Sequence, residues 1–109
     1  MNYCRYSARE LMTETAEKIE LKELTHFFYA LKEAWRLRML CVLAETAELT
    51  VSELAEQLDI SQPLVSWHLR RLRQAHIVSV RREGRESFYA LDRERVTACQ
   101  AALEQLLHL

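Results

Sequence analysis

Arginine and glutamine side chains are concentrated in residues 61–85, a stretch that holds six Arg against one acidic residue, Glu83. The guanidinium of Arg can pair bidentately with guanine and bind phosphate, and the amide of Gln can pair bidentately with adenine. The formal net charge of the 109 residues is only −1, so this positive charge is local. A local cationic surface on a near-neutral chain favours DNA binding over an ordinary solvated basic face.

A helix-turn-helix is predicted to hold these side chains, over about residues 50–75. Thr50 and Glu53 have the spacing of a capping box, which predicts a helix over Val51–Leu58. Asp59 and Ile60 then form the turn. Ser61 is a favourable N-cap for the next helix, 62–75. Pro63 is tolerated in its first turn, because the N–H that proline lacks would be unpaired there.

The second of these helices has one apolar face. Val65, Leu69 and Leu72 lie at i, i+4 and i+7 and are predicted to face the core, so the polar residues point outward. Trp67 is predicted either to contact a thymine methyl or to shield the edge of the helix, and His68 either to contact the DNA backbone or to have a structural place. The predicted DNA-binding residues of this region are Ser61, Gln62, Ser66, Trp67, His68, Arg70, Arg71 and Arg73.

A basic β-hairpin is predicted directly after this helix, over about residues 77–91. Two β-prone runs, 77–82 and 86–91, are joined by a tip in which Gly84 can supply a positive φ. The arginines at the tip are expected to bind phosphates or enter the minor groove, which would position the domain more than select a base sequence. These residues are Arg81, Arg82 and Arg85.

Helices are predicted on both sides of this unit. One long helix or two abutting ones are expected over 8–31, after a capping box formed by Ser7 and Glu10, and a further helix is expected over 33–44. In that second helix, Leu37, Leu40, Cys41, Leu43 and Ala44 are predicted to face the core. A last amphipathic helix, 93–108, has no later element to cover it, which suggests pairing with a second subunit.

The predicted architecture is a single domain over residues 1–109, mostly α-helical with a small β-hairpin: a winged helix-turn-helix of about five helices and a two-stranded wing. The sequence lacks an apolar run long enough for a signal peptide or a membrane span, and its three widely spaced Cys do not suggest a disulfide framework. We therefore expect a cytoplasmic protein that does not associate with membranes. No motif of an enzyme or a cofactor site is present, so neither catalysis nor a cofactor is expected.

Three segments of the sequence resemble those of one known protein family. The second helix of that family resembles LKEAWRLRMLCVL, its helix-turn-helix resembles ELTVSELAEQLDISQPLVSWHLRRLRQAHIV, and its wing resembles VRREGRESFYAL. The family that these segments resemble is the ArsR/SmtB family of bacterial winged-helix repressors. The resemblance covers about residues 22–107. It implies a homodimer joined through the first and last helices, 8–31 and 93–108, which binds double-stranded DNA at an imperfect inverted repeat and leaves it when an effector arrives. The rival hypothesis is a winged-helix module that binds proteins and no DNA.

The metal sites of the family transfer poorly to this sequence. Metal-sensing members carry Glu-Leu-Cys-Val-Cys at the start of the third helix, whereas residues 48–52 read Glu-Leu-Thr-Val-Ser, so both thiols are replaced by hydroxyls. A second family site, on the last helix of a zinc sensor, corresponds to Asp92, Glu94, Gln105 and His108. Gln is a poor zinc ligand, which leaves Asp92, Glu94 and His108 as weak candidates for a non-standard metal or metalloid site.

Cysteines offer another sensing chemistry. Cys41 lies where redox-sensing members of the family, which respond to sulfide or oxidants, carry a reactive thiol, and their partner thiol lies near the position of His108. Cys99 is nine residues earlier, about 13 Å along a helix, too far for the same bond. Cys4 could approach either thiol, two Cys99 could meet across the dimer axis, or Cys41 and Cys99 could be small core residues. The effector therefore stays open, with a thiol-reactive signal as one hypothesis.

Overall fold

The structure is a computed structural model that describes residues 19–109. These residues form five helices and one two-stranded hairpin, which confirms the predicted fold class. The elements are α1 (Leu21–Leu31), α2 (Ala34–Ala44), α3 (Val51–Leu58), α4 (Gln62–Gln74), β1 (Val78–Glu83), β2 (Glu86–Leu91) and α5 (Arg93–Leu107). The capping box expected at Ser7 and Glu10, and the thiol of Cys4, lie outside the described residues.

The first described helix begins at Leu21, directly after the two non-helical residues Ile19 and Glu20. Glu20 has an extended backbone, with φ −80° and ψ 155°, and its N–H donates to the Glu23 carboxylate at 3.2 Å. A carboxylate at this position satisfies an N–H that has no partner within the helix. Of the two alternatives predicted over 8–31, a single unbroken helix is therefore wrong, whereas two abutting helices stay a prediction, because the part before residue 19 is not described.

The helix-turn-helix forms as the caps predict. Thr50 Oγ1 accepts from the N–H of Glu53 at 3.2 Å, and the Glu53 carboxylate accepts from the N–H of Thr50 at 2.9 Å. Asp59 takes a left-handed conformation, with φ 56°, and turns the chain toward Ser61, whose Oγ accepts from the N–H of Leu64 at 3.4 Å. Helix α4 then ends at Gln74, one residue before the predicted end.

The apolar face predicted for α4 is confirmed, since Val65, Leu69 and Leu72 are buried in the core shared by the helices. The prediction for α2 needs correction, because its buried residues are Arg36, Met39 and Leu43. Of the residues expected there, Leu43 is buried and Leu40 partly buried, whereas Leu37 is 47% exposed and Cys41 and Ala44 are also exposed. Apolar residues occur on two sides of α2, and the buried side is the one that includes an arginine.

The hairpin is one antiparallel pair whose register runs from Val78 opposite Leu91 to Glu83 opposite Glu86. The turn is therefore two residues, Gly84 and Arg85, with Gly84 at φ +61°, rather than the predicted three. Residue 49, just before α3, is joined to β2 by two hydrogen bonds with Tyr89, of 2.9 and 2.8 Å. Within residues 19–109, none of the helices is long and apolar enough to cross a membrane.

Candidate DNA interface

Helix α4 presents a polar face that carries no acidic residue. All but one of the DNA-binding residues predicted in this region are exposed, namely Ser61, Gln62, Ser66, Trp67, Arg70, Arg71 and Arg73. In the described part of the chain, neither Arg70 nor Arg73 forms an ion pair with a carboxylate. Two guanidinium groups on one helix face are thus available to external hydrogen-bond acceptors.

The side chain of Gln62 is held in place by α3. Its Nε2 donates to Ser52 Oγ at 3.2 Å, which fixes the amide at the N-terminal end of α4. Ser52 is one of the two hydroxyl residues that replace the metal-binding thiols of related sequences. Its role in orienting Gln62 was not predicted, because the two residues are ten positions apart on different helices. An amide already held by one hydrogen bond loses less conformational freedom when it pairs with a base.

Trp67 is 42% exposed and lies against two guanidinium groups. The Arg36 Cζ atom lies 5.3 Å, and the Arg71 Cζ atom 5.2 Å, from the centroid of the indole ring. These distances allow cation–π attraction, which is strongest for tryptophan. The ring therefore organises the two arginines at the edge of α4 and still leaves part of its surface accessible, so both roles predicted for Trp67 stay open.

His68 is the exception on the predicted surface, and its burial favours the structural place over the DNA-backbone contact, the two alternatives predicted for it. His68 is only 3% exposed, and its Nδ1 accepts a hydrogen bond from Arg36 Nε at 3.2 Å. Nε2 lies 3.6 Å from a carboxylate oxygen of Glu33. His68 follows the outward-facing Trp67 by one position, and a turn of 100° places it toward α2. It links α4 to α2 and does not reach the surface.

The burial of His68 predicts a dependence of stability on pH. Burial lowers the pKa of His68 below its ordinary 6.5, Arg36 acts in the same direction, and Glu33 opposes them. Because His68 binds a proton less readily in the folded protein than in the unfolded chain, the stabilising contribution of neutral His68 is fully present above about pH 6.5. That contribution is lost as the pH falls toward the pKa of the folded state. We expect the free energy of unfolding, measured by urea denaturation, to decrease between pH 7 and 5.

His68→Gln should make that decrease smaller, since glutamine can accept from Arg36 and does not titrate. The carboxylates with lowered pKa values titrate below their ordinary 4.5: Glu48 because Arg81 binds it, and Glu23 because Glu20 N–H and Arg95 outweigh its burial. The stability that these two carboxylates contribute is lost only as the pH falls below about 4.5, so it does not mask the effect of His68 between pH 7 and 5. An unchanged slope between pH 7 and 5 in the variant would refute the assignment.

The wing arginines differ in what they contact. Arg81 forms ion pairs with Glu48 at 2.5 Å and with Glu83 at 2.8 Å, and these hydrogen bonds raise its pKa. Its guanidinium also lies 4.6 Å from the centroid of the Phe88 ring. Arg81 is therefore already paired and is a poorer phosphate ligand than predicted. Glu48 lies 33 positions away, so no sequence pattern identified it as the partner.

The other two wing arginines keep their charge available. Arg82 donates to Ser87 Oγ at 3.1 Å and has no carboxylate within ion-pair distance among residues 19–109. Arg85 lies in the two-residue turn and is exposed. The wing therefore offers two guanidinium groups that form no ion pair in the described part of the chain, beside α4.

The candidate metal residues are not brought together within the described chain. Asp92 caps α5, its carboxylate accepting from the N–H of Arg95 at 3.0 Å, and Glu94 lies in the first turn. His108 is at the opposite end of the same helix, about 24 Å away at 1.5 Å per residue. No group of three potential metal ligands occurs in residues 19–109.

The two described thiols lie in different environments. Cys41 is exposed on α2, whereas Cys99 is buried within the core on α5. Burial raises the pKa of the Cys99 thiol, although the Arg95 charge acts against it. A buried thiol with a raised pKa is a poor nucleophile. This supports the interpretation of Cys99 as a core residue and corrects that interpretation for Cys41.

An exposed helix face rich in Arg and Gln, presented by a helix-turn-helix beside a basic hairpin, defines a winged helix-turn-helix DNA-binding protein. Residues 35–80 match the family described as "Bacterial regulatory protein, arsR family". The chain is 32% identical over 103 residues to the Biofilm growth-associated repressor of Xylella fastidiosa (strain 9a5c), covering 94% of this chain and 90% of that one. The chain therefore belongs to the ArsR/SmtB family of transcriptional regulators, which are not enzymes.

A shorter match has higher identity. The HTH-type transcriptional regulator KmtR of Mycobacterium tuberculosis is 45% identical over 69 residues, which are 63% of this chain. The match spans about half of the length of that protein, 52%, and the same share of the Arsenic resistance transcriptional regulator ArsR1 of Pseudomonas putida.

Solved structures share the fold. An ArsR-like transcriptional regulator from Rhodococcus sp. RHA1 superposes with a TM-score of 0.72 at 28% identity, over 78% of this chain and 79% of that one. A homodimeric winged helix-turn-helix DNA-binding domain from Mycobacterium bovis, described as a possible ArsR-family regulator, has a TM-score of 0.63 at 26% identity. That match covers 82% of this chain and 86% of the other.

Proposed function

We propose that this protein is a repressor that binds operator DNA as a homodimer and leaves it when an effector arrives. One observation carries the proposal: within residues 19–109, α4 exposes glutamine, serine and arginines without an ion pair on a face that has no acidic residue, beside a wing with two further arginines that form no ion pair. Such a surface can form base contacts through α4 and phosphate contacts through the wing. A module that binds only proteins has no need of this arrangement.

Exposed apolar side chains on α1 and α5 support the homodimer. Phe28 and Tyr29 on α1 are 41% and 58% exposed, and Leu107 on α5 is 53% exposed. Large apolar side chains that are exposed in one subunit are typical of a surface covered by another. The homodimeric relative from Mycobacterium bovis supports the same assembly. Two-fold symmetry would place the two α4 helices about 34 Å apart, matching an imperfect inverted repeat in double-stranded DNA.

We propose a thiol-reactive signal as a candidate effector, and the exposure of Cys41 is the observation that favours it. Cys41 lies on α2, the helix that also contacts α4 through Arg36 and His68. Modification of Cys41 would therefore act on the same helix that supports the reading face. The burial of Cys99 argues against a direct disulfide between these two thiols.

A labelled duplex from the promoter region of the protein's own gene tests DNA binding. We expect affinity to fall steeply between about 50 and 200 mM salt, because each phosphate neutralised releases a counterion. A scrambled duplex of equal length is the matched control and should bind more weakly. Binding that is absent, or independent of salt, would contradict the proposal and favour a protein-interaction module.

A further inference from the structure

A cavity of about 360 Å³ lies between α1, α2 and α4, at the edge of the proposed DNA interface. Its polar lining comes from His26 and Tyr29 on α1, Arg36 on α2, and Arg71 and Gln74 on α4. Two alanines, Ala30 and Ala75, supply an apolar part of the wall. The volume is at the lower end of the roughly 300–1,000 Å³ typical of small-molecule sites.

Arg36 gives the cavity its chemical character. It is only 5% exposed, yet within the described residues it has no carboxylate at ion-pair distance. Its Nε donates to His68 and its Nη1 to the carbonyl oxygen of Ala30 at 3.2 Å, both uncharged acceptors. Glu33, the carboxylate of this network, approaches His68 instead. A buried cation without a counterion is costly, so the site favours an anion.

A second guanidinium reaches the same site. Arg71 shares the Trp67 ring with Arg36 and lines the cavity, and it forms no ion pair within residues 19–109. Neither guanidinium meets a carboxylate among the described residues: Arg71 can bind a carboxylate bidentately, and Arg36, whose Nε and Nη1 already donate, adds its remaining N–H groups and its charge. Tyr29, Ala30 and Ala75 provide the surface on which a small apolar body can rest.

We propose that this cavity binds a small organic carboxylate with a compact apolar body, and that its occupancy weakens DNA binding. This inference rests on the proposed function. Arg71 is both a cavity residue and a predicted DNA contact, so a bound carboxylate competes with DNA phosphate for its guanidinium. Arg36 transmits the same event to α4, because it is hydrogen bonded to His68 and lies against Trp67.

Benzoate and benzamide form the test pair, since they have nearly the same shape and only benzoate is charged. Binding is measured by equilibrium dialysis of each compound, and also by fluorescence in the Trp35→Phe variant, where Trp67 is the remaining tryptophan. We expect benzoate to bind at least about tenfold more tightly than benzamide, as expected for loss of a charge-assisted hydrogen bond. Inorganic phosphate tests an anion without an apolar body and should compete at least about tenfold less well.

Arginine variants locate the site. Arg71→Gln should weaken benzoate binding at least about tenfold, and Arg36→Lys, which keeps the charge but loses the fork, should also weaken it. Arg70→Gln is the matched control, because Arg70 is on the same helix and does not line the cavity. It should bind benzoate within about twofold of the unmodified protein, whatever happens to its DNA affinity.

Saturating benzoate should lower operator affinity by about tenfold, within the usual range of coupling between two ligands. Equal binding of benzamide, equal competition by phosphate, or full benzoate binding by Arg71→Gln would overturn the carboxylate site. Benzoate binding without any change in operator affinity would overturn the effector role. Failure of the protein to bind its operator at all would instead overturn the proposed function, since dialysis tests the cavity without DNA.

Discussion

Replacing Arg70 by Ala should reduce discrimination between the operator and a duplex with one altered half-site base by about 1–3 kcal/mol, the usual value of a bidentate contact to a base. Arg70 is exposed on the acid-free face of α4 and lacks a carboxylate partner in the described structure, so its guanidinium can reach a guanine edge. Competition binding with operator and single-base variants measures the effect. Gln62→Ala should likewise reduce sequence preference, at a different base.

Wing variants provide the contrast. Arg82→Ala should weaken binding to operator and scrambled duplexes alike and lower the salt slope by about one unit, as expected for a phosphate contact. Arg81→Ala should have a smaller effect on DNA affinity, since Arg81 is already paired with Glu48 and Glu83. Uniform losses from Arg70→Ala and Arg82→Ala, with no change in sequence preference, would refute the division between base reading and phosphate binding.

Leu69→Ala should lower the free energy of unfolding by about 2–5 kcal/mol, because it leaves a cavity in a packed core. Leu69 is 1% exposed and holds α4 against the other helices. Urea denaturation followed by circular dichroism measures the change, at one protein concentration because a dimer's stability depends on it.

Leu64 makes a matched control on the same helix. It is 38% exposed, so Leu64→Ala should change the free energy of unfolding by less than about 1 kcal/mol. Similar losses from both variants would mean that α4 is not anchored by the face described above.

The elements that sequence predicts best are those governed by local chemistry. Caps at Thr50 and Ser61 fix where α3 and α4 begin, and the spacing of Val65, Leu69 and Leu72 fixes which face of α4 is buried. These signals act over one or two turns of helix and are therefore visible in sequence. The start of α1 was missed because a glutamate at position 20 does not resemble a usual N-cap.

The missed features of the site depend on distant side chains. Arg36 and His68 are 32 positions apart and Arg81 and Glu48 are 33 apart, so no periodicity connects them. Composition also misleads here, because arginine is rarely buried and a wing arginine is expected to be free. The buried face of α2 therefore contains Arg36 and differs from the predicted face. The same arginine is hydrogen bonded to the buried His68 and lines the cavity.

The hydrogen bonds between Leu49 and Tyr89 fix the wing to the chain segment that leads into α3. The ion pair between Glu48 and Arg81 adds a second connection at the same place. These contacts limit movement of the wing relative to the helix-turn-helix, so the distance between base-reading and phosphate-binding side chains is set before DNA is met. A duplex whose shape differs from that distance would have to bend or narrow to fit it, and flexible steps such as TA or CA beside the contacted bases would then raise affinity without any direct contact.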